Sequence, residues 1–270
     1  MKKRTWVALL SLALVVALVF TVAAGCSSPS SKQPTIDKIK KRGVLKVGVK
    51  ADVLGFGFMN PATKQYEGLE IDIAKRIAKD LLGDAKKVEF TAVTGKTRMG
   101  VLDNGEIDMV IATFTITEDR KKQVDFSPVY HVDGIQLLVK KDSGITGLKD
   151  TDKKTIGVAK GSDTQDRLQA LAAKLNIKPQ FASFETYPEI LAALQSGRVQ
   201  AFATDGSVLK YYESQDKTTV ILPDKYSSEE YGVATKKGND DLRDFVAKVI
   251  NTMNSSGDLK QLKANWGLGK

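Results

Sequence analysis

The sequence predicts an α/β protein made of two α/β units. Short apolar runs that are typical of strands alternate with amphipathic runs that are typical of helices, the pattern of a mostly parallel sheet with helices on both faces. A polar break, Lys-Asp-Ser-Gly at residues 141–144, divides the chain, and the same alternation starts again after it. No internal repeat of short period is visible, so a solenoid is not expected.

The N-terminal segment predicts an exported, lipid-anchored chain. Met1–Arg4 is positively charged, the run from Trp6 to Ala24 carries no charge, and small residues precede Cys26, the only cysteine. This order is typical of a signal peptide that ends at a lipidated cysteine, although the apolar run is also long enough to span a membrane. We expect a signal peptide over residues 1–25, and the lipidated Cys26 with a flexible, serine-rich tether over residues 26–35. The rest would lie outside the cytoplasmic membrane.

The first unit begins after this tether. Three apolar runs predict strands, at residues 44–49, 88–93 and 107–112. Two segments predict helices, at residues 68–82 and 97–104. In the longer one, Ile73, Ile77 and Leu81 recur at helical spacing, so this helix is expected to bury one face.

The second unit follows the polar break. Its strands are predicted at residues 155–159, 181–184, 199–204 and 219–222. Its helices are predicted at residues 162–175 and 187–195, and two further helices close the chain at 240–253 and 257–266.

Charge restricts the class of partner. The net charge of +9 falls by three, to +6, if Lys2, Lys3 and Arg4 are removed with the signal peptide. The lysines are spread along the chain and do not interleave with aromatic residues in blocks, so nucleic acid is not expected as a partner. The excess of positive charge indicates a solvated surface with a mild preference for anionic small molecules.

Polar residues follow the predicted strands, where open α/β sheets bind their ligands. These candidates are Lys50, Phe56, Thr113, Thr115, Arg120, Ser162, Thr164 and Asp205. Arg120 and the helix start after Gly161 suit an α-carboxylate, while Asp205 suits an α-ammonium group. The ring of Phe56 would cover the ligand and exclude water. Together these groups predict a site for a zwitterion.

Each of these residues also has an ordinary structural interpretation. Arg120 would pair with Glu118 or Asp119 on a helix surface, Asp205 would cap a helix, and Lys50 would point into water.

No catalytic apparatus is predicted. His131 is the only histidine, and the sequence contains no His/Cys cluster for a metal and no nucleophile–base–orienter set. We therefore expect no metal, no cofactor and no enzymatic activity.

Four motifs occur in one order along the chain: Gly-Leu-Glu-Ile-Asp (68–72), Asn-Gly-Glu-Ile-Asp (104–108), Thr-Ile-Thr-Glu-Asp-Arg (115–120) and Val-Asp-Phe-Ser (124–127). With the closing Asn-Trp-Gly-Leu at 265–268, they resemble the family 3 extracellular solute-binding proteins of amino-acid ABC importers. The resemblance extends from Ile36 to Leu268.

The resemblance implies a type II periplasmic-binding fold, with two α/β lobes joined by two crossover strands and a ligand cleft between them. We expect the crossovers near residues 134–140 and 229–235. Lobe 1 would comprise residues 36–137 and 232–270, and lobe 2 residues 138–231. The family also implies a monomer that delivers its ligand to an ABC permease in the membrane.

The resemblance also implies roles for the site residues. Arg120 would grip the α-carboxylate, with hydroxyl contacts from Thr113 and Thr115, and Asp205 would take the α-amino group. Ser162 and Thr164 would add carboxylate contacts from the turn at 161–164, whereas Asp163 departs from the hydroxyl common there.

Specificity is expected from residues near Arg98. The subset of the family that binds aspartate or glutamate resembles this chain over residues 95–104 and places an arginine on the side-chain carboxylate of the ligand. We therefore expect Arg98 as a ligand contact, aided by Lys50 and Tyr187, although an exposed helix arginine is the alternative. The predicted ligand is L-aspartate or L-glutamate.

Two other functions remain open from the sequence. A cyclohexadienyl-dehydratase-like enzyme on the same fold would also use Arg98 and Lys50 to bind a dicarboxylate. A sensor or adhesion lipoprotein would use the fold without transport.

Overall fold

The computed structural model describes residues 35–269. The predicted signal peptide, Cys26 and the tether up to residue 34 lie outside the described residues. Helices α1 to α9 span, in chain order, Thr35–Arg42, Leu69–Leu82, Arg98–Asp103, Glu118–Lys121, Thr164–Lys174, Tyr187–Gln195, Gly206–Gln215, Asp240–Ser256 and Asp258–Asn265. Strands β1 to β15 span Leu45–Val49, Asp52–Val53, Gly57–Met59, Tyr66–Glu67, Val88–Ala92, Met109–Ile111, Val124–Phe126, His131–Asp133, Ile135–Lys140, Thr155–Ala159, Gln180–Phe184, Ala201–Asp205, Thr219–Ile221, Glu229–Tyr231 and Ala234–Lys236.

One five-stranded sheet forms the core of the first lobe. Its strand order is β5-β1-β6-β15-β7, in which β1 runs parallel to β5 and β6, and β15 runs antiparallel to β6 and β7. Val47 lies opposite Phe90 on one side and Met109 on the other. Because β1 and β6 are parallel neighbours, their carboxyl ends meet at one edge of the sheet.

A second five-stranded sheet forms the core of the other lobe. Its order is β11-β10-β12-β9-β13, in which β10 runs parallel to β11 and β12, and β9 runs antiparallel to β12 and β13. The residues that follow β10 and β12 therefore also come together at one sheet edge.

Alternation along the strands divides the side chains between the two faces of each sheet. In β6, Met109 and Ile111 join one core cluster and Val110 joins another on the opposite face. In β9, Ile135, Leu137 and Val139 face one cluster while Leu138 faces another. Both sheets are covered on both faces, as the runs of apolar residues predicted.

The two lobes are joined by a two-stranded antiparallel ribbon, β8 paired with β14. This differs from the first predicted crossover at residues 134–140, because residues 135–140 form β9 inside the second sheet. The apolar side chains of β9 face core clusters on both sides of this sheet, so the segment belongs to the second lobe. The second strand of the ribbon, Glu229–Tyr231, lies within the predicted range 229–235. The lobe boundaries proposed from the sequence stay a prediction.

The backbones of the lobes approach each other at two glycines. A Cβ atom on Gly161 would lie 2.6 Å from the carbonyl carbon of Gly95, and one on Gly95 would lie 2.7 Å from the carbonyl oxygen of Lys160. Any side chain here would hold the lobes apart.

Within residues 35–269, no helix has the length and apolarity needed to cross a membrane.

Gly68 is required immediately before α2. Its φ is 130°, and a Cβ atom there would lie 2.0 Å from the carbonyl oxygen of Phe56. We expect Gly68→Ala to lower the free energy of unfolding by roughly 2 kcal/mol or more, because both the backbone strain and the clash must be relieved. Denaturant unfolding measures this change.

Gly100→Ala provides the matched control. Gly100 lies within α3, and a Cβ atom there meets none of the described residues within 4 Å. Alanine should therefore be neutral or stabilise by up to about 1 kcal/mol. Equal destabilisation by both substitutions would contradict the assigned role of Gly68.

Candidate functional site

A cavity lies between the lobes, where the carboxyl ends of β1, β6, β10 and β12 face one another. It is lined by Lys50, Gly95, Arg98, Thr113, Thr115, Ala159, Ser162, Asp163, Thr164, Tyr187, Thr204 and Asp205. The cavity brings together eight of the residues predicted from the sequence, namely Lys50, Arg98, Thr113, Thr115, Ser162, Thr164, Tyr187 and Asp205. Both lobes therefore contribute polar groups to one enclosed site.

Phe56 lies elsewhere, which corrects the expectation that its ring covers the ligand. The side chain is fully buried and packs edge-on against His131 and Tyr231, with ring centroids 5.0 and 5.8 Å away. Glycines on both sides of Phe56 suggested an exposed loop. Instead, Gly68 packs against the Phe56 backbone and draws the ring into the core at the interlobe ribbon.

Lys50 is buried at the end of β1. Its Nζ atom lies 3.1 Å from Asp52 Oδ1 and 4.7 Å from the centroid of the Tyr187 ring. Burial lowers the pKa of Lys50 from its usual value, and the neighbouring Asp52 carboxylate opposes this shift. Lys50 is therefore a desolvated cation with a carboxylate partner, and it does not point into water.

Arg98 is also buried, with 4 % of its surface exposed, so the alternative of an exposed helix arginine is wrong. Nη1 donates to the Ala112 carbonyl at 3.0 Å, and the guanidinium stacks 3.7 Å from the centroid of the Phe114 ring. Burial lowers the pKa of Arg98 to about 9, with repulsion from Arg120 as the next cause. Among the described residues, no acceptor binds its buried Nε atom.

Arg120 lies beside the cavity and connects the two lobes. Nη1 donates to the Thr115 carbonyl at 2.8 Å, and Nη2 lies 3.5 Å from Asp163 Oδ1. Asp163 in turn accepts from Arg167 Nε at 2.7 Å, and that nitrogen lies 2.9 Å from Glu229 Oε1 on the interlobe ribbon. The partner of Arg120 is thus a carboxylate of the other lobe, not Glu118 or Asp119 of its own helix.

The charges of this network compensate one another. Burial lowers the pKa of Arg120, while Asp163 opposes the shift. Burial by itself would raise the pKa of Asp163, but Arg120 and Arg167 bring it below its usual value. Asp163 is therefore ionised in this arrangement.

Asp205 follows β12 at the far side of the cavity. Its carboxylate accepts a hydrogen bond from the Tyr231 hydroxyl, and the residue is only 8 % exposed. Burial raises its pKa well above the usual value, and the nearby Asp133 carboxylate adds to the increase. Although α7 begins at the next residue, none of the described backbone N–H groups of that helix binds this side chain as a cap.

Thr113 carries an unusual backbone conformation at the end of β6. Its φ is 42°, in the left-handed region that a β-branched residue seldom occupies. Its N–H donates to Glu70 Oε1 at 2.6 Å, and the same oxygen accepts from the Tyr130 hydroxyl at 2.6 Å. Glu70 therefore holds a strained residue of the cavity lining in place.

Sequence reasoning missed Glu70. The residue is fully buried on α2, on the helix face that also carries Ile73, Ile77 and Leu81. An acidic residue in register with an apolar face is a signal that was available, because a carboxylate is seldom buried without a specific partner.

No metal site is formed by the described residues, since they contain no group of three His, Cys, Asp or Glu side chains suited to one. His131 packs against Phe56 and Tyr231, and burial lowers its pKa to about 4. It is therefore a neutral packing residue of the ribbon at physiological pH.

Comparison with known proteins agrees with this architecture. The glutamine-binding protein of Geobacillus stearothermophilus is 42 % identical over 269 residues, which cover 93 % of this chain and all of the relative. The ABC transporter glutamine-binding protein GlnH of Bacillus subtilis is 39 % identical and covers 98 % of this chain and 97 % of its own length. The structure of an ancestral arginine-binding protein bound to glutamine matches with a TM-score of 0.77 and 36 % identity, over 85 % of this chain and 99 % of that one.

The family model for bacterial extracellular solute-binding proteins, family 3, matches residues 45–269. This match covers both sheets, the ribbon between them and every residue that lines the cavity. The type II periplasmic-binding fold implied by the motifs is thereby confirmed. The chain belongs to family 3 of the bacterial extracellular solute-binding proteins.

Proposed function

We propose that this protein captures a polar L-amino acid outside the cytoplasmic membrane and delivers it to an ABC permease, and that L-glutamine is its first ligand. The observation that carries the proposal is a carboxylate in the cavity lining, Asp205 of one lobe, and a guanidinium of the other lobe, Arg120, which lies beside the cavity and contacts Thr115 and Asp163 of its lining. An amino acid presents the complementary carboxylate and ammonium groups on a single carbon. The glutamine-binding relatives and the family assignment support transport over a dehydratase-like enzyme.

The α-carboxylate would bind Arg120, with the Thr113 and Thr115 positions beside it and the turn at Ser162 and Thr164 opposite. Arg120 Nη2 now lies 3.5 Å from Asp163 Oδ1. In this role the ligand carboxylate would replace Asp163 as the partner of Arg120. The α-ammonium would bind Asp205. Charge-assisted hydrogen bonds of this kind contribute about 1.5–3 kcal/mol each.

The side chain of the ligand would reach Lys50, Arg98 and Tyr187. The two cations have acidic neighbours, since Asp52 pairs with Lys50 at 3.1 Å and Glu70 interacts with both Lys50 and Arg98. The two positive charges near the ligand side chain are thus closely balanced by two carboxylates. This balance favours a ligand whose side chain ends in an uncharged amide over one that ends in a second carboxylate. The names of the two relatives support glutamine independently.

Glutamate and aspartate, the ligands expected from the sequence, are the second candidates. The observation that favours them is the presence of two buried cations, Lys50 and Arg98, in the cavity lining. The carboxylate of an acidic ligand side chain would bind these two cations. It would then compete with their present partners, which are Asp52 for Lys50 and the Ala112 carbonyl for Arg98.

We also retain lipidation of Cys26 as a proposal. The family is extracellular, which supports export, whereas the cysteine lies outside the described residues. Mass spectrometry of the membrane fraction would detect the acylated N-terminal cysteine.

Calorimetric titration tests the proposed ligand. The purified protein is unfolded to remove any carried-over amino acid, refolded, checked by circular dichroism, and titrated with the common L-amino acids. We expect saturable binding of glutamine with one site per chain, and weaker binding of glutamate and aspartate. Tighter binding of glutamate would move the second candidates to first place, and a folded protein that binds no amino acid would overturn the proposal.

Arg120→Ala tests the α-carboxylate assignment. Every amino acid ligand carries this group, so we expect loss of affinity by at least about 100-fold for all ligands. Arg243→Ala is the matched control, because Arg243 is half-buried on α8 and pairs only with Asp240 and Asp244 among the described residues. A loss confined to one ligand, or an equal loss in the control, would contradict the assignment.

A further inference from the structure

A buried carboxylate lies behind the cavity and has no place in the ligand contacts described above. Glu70 is fully buried, and its Oε1 atom accepts the Thr113 N–H and the Tyr130 hydroxyl. Its Oε2 atom is buried and binds no donor among the described residues. An acceptor left unsatisfied in the protein interior is costly, so its retention calls for a further electrostatic role.

The geometry links Glu70 to Arg98 through one peptide unit. Arg98 Nη1 donates to the carbonyl of Ala112 at 3.0 Å, and Glu70 Oε1 accepts from the N–H of Thr113 at 2.6 Å. These are the two polar groups of the same peptide bond. The guanidinium and the carboxylate therefore lie on its opposite sides, where they polarise it in the same direction.

Lys50 belongs to the same group of charges. It follows β1 directly, and β1 pairs with β6, with Val49 opposite Ile111, so Lys50 lies next to the strand end that carries Thr113. The charged and titratable groups around Glu70 are thus Lys50, Arg98 and Tyr130, with Asp52 bound to Lys50. Two of these neighbours are cations that line the cavity.

We propose that Glu70 is a specificity-determining residue, whose buried carboxylate offsets the charge of Lys50 and Arg98 and so favours a neutral polar ligand side chain over an acidic one. The inference rests on the proposed function and deepens it. Glu70 acts through the two cations and through Thr113, without touching the ligand itself. Removal of its negative charge would leave the positive charge of Lys50 and Arg98 only partly compensated, and this excess would attract the side-chain carboxylate of an acidic ligand.

Glu70→Gln separates charge from structure. The amide oxygen of glutamine still accepts from Thr113 and Tyr130, while the negative charge is lost. We expect the ratio of glutamate affinity to glutamine affinity at pH 8 to rise by at least about tenfold, because a buried charge close to the two cations has been removed. Calorimetric titration of both ligands measures the ratio.

Two controls identify the cause of any change. Tyr130→Phe keeps the carboxyl group but removes the hydroxyl that lowers its pKa, so the ratio should rise less at pH 8 than in Glu70→Gln and should still depend on pH. Glu89→Gln makes the same substitution on the exposed face of β5 in the same sheet and should leave the ratio unchanged. An unchanged ratio in Glu70→Gln, or a ratio in Tyr130→Phe that is as high as in Glu70→Gln and independent of pH, would overturn the proposal.

The pH dependence of binding provides an independent prediction. Burial raises the pKa of Glu70 from 4.5 to about 7, against the opposing effects of Tyr130, Thr113, Lys50 and Arg98. Glu70 is therefore mostly ionised at pH 8 and mostly neutral at pH 6. We expect the glutamate-to-glutamine affinity ratio to rise by up to about tenfold between pH 8 and pH 6, because glutamate binding would take up one proton. In Glu70→Gln the ratio should not change over this range, and a persisting slope would contradict the assignment.

A measurement without ligand distinguishes failure of this inference from failure of the proposed function. A carboxyl group whose pKa is raised on folding favours the folded state when protonated and loses this contribution as the pH rises through the unfolded and folded pKa values. The stability of wild type relative to Glu70→Gln should therefore fall between about pH 4.5 and pH 7. If this fall occurs and no amino acid binds, the proposed function is wrong although Glu70 titrates as described; if ligands bind and the fall is absent, the role of Glu70 is wrong.

Discussion

The cleft depends on one electrostatic constraint: a buried charge is stable only when another charge or a set of hydrogen bonds compensates it. Lys50, Arg98 and Arg120 are all withdrawn from water, and burial lowers the pKa of each. Each has a compensating group close by. Asp52 pairs with Lys50, backbone carbonyls and the Phe114 ring hold Arg98, and Asp163 pairs with Arg120. These partners connect ligand recognition to the packing of both lobes.

The ribbon between the lobes takes part in the same compensation. Tyr231 donates to Asp205, and Glu229 lies 2.9 Å from Arg167, so both ends of β14 contact charged groups next to the cavity. The connection between the lobes therefore carries polar contacts to the site. Burial raises the pKa of both Asp205 and Glu229. The interlobe ribbon and the charged groups beside the cavity are therefore linked by direct contacts.

Much of this architecture could be predicted from the sequence, because apolar periodicity reports burial. The strands at 155–159 and the helix at 187–195 lie where the pattern predicted them, and the strand ends supplied most of the cavity lining. Short strands were harder to predict. β2, β8 and β15 contain three residues or fewer and, unlike the equally short β6, do not lie in a continuous apolar run, so their pattern does not differ from that of a loop.

Two site features could not be predicted from local pattern. The burial of Phe56 follows from its contacts with His131 and Tyr231, which are distant in sequence. The pairing of Arg120 with Asp163 joins residues of separate lobes. In both cases the decisive neighbours are set by tertiary structure, whereas the flanking glycines and the nearby Glu118 and Asp119 suggested a local solution.

The Arg120–Asp163 pair also explains how a charged ligand could bind without a large desolvation penalty. Stripping water from a guanidinium is costly, but Arg120 is already buried and already faces a carboxylate of the other lobe. If the ligand α-carboxylate takes the place of Asp163, one carboxylate is exchanged for another and Arg120 loses little hydration. Asp163 keeps its bond to Arg167 at 2.7 Å and so remains compensated after the exchange. Arg120 would still supply the positive charge that the α-carboxylate of every ligand requires. Discrimination among amino acids would rest on the part of the cavity that receives the ligand side chain, where Lys50, Arg98 and the carboxylates beside them determine the balance of charge.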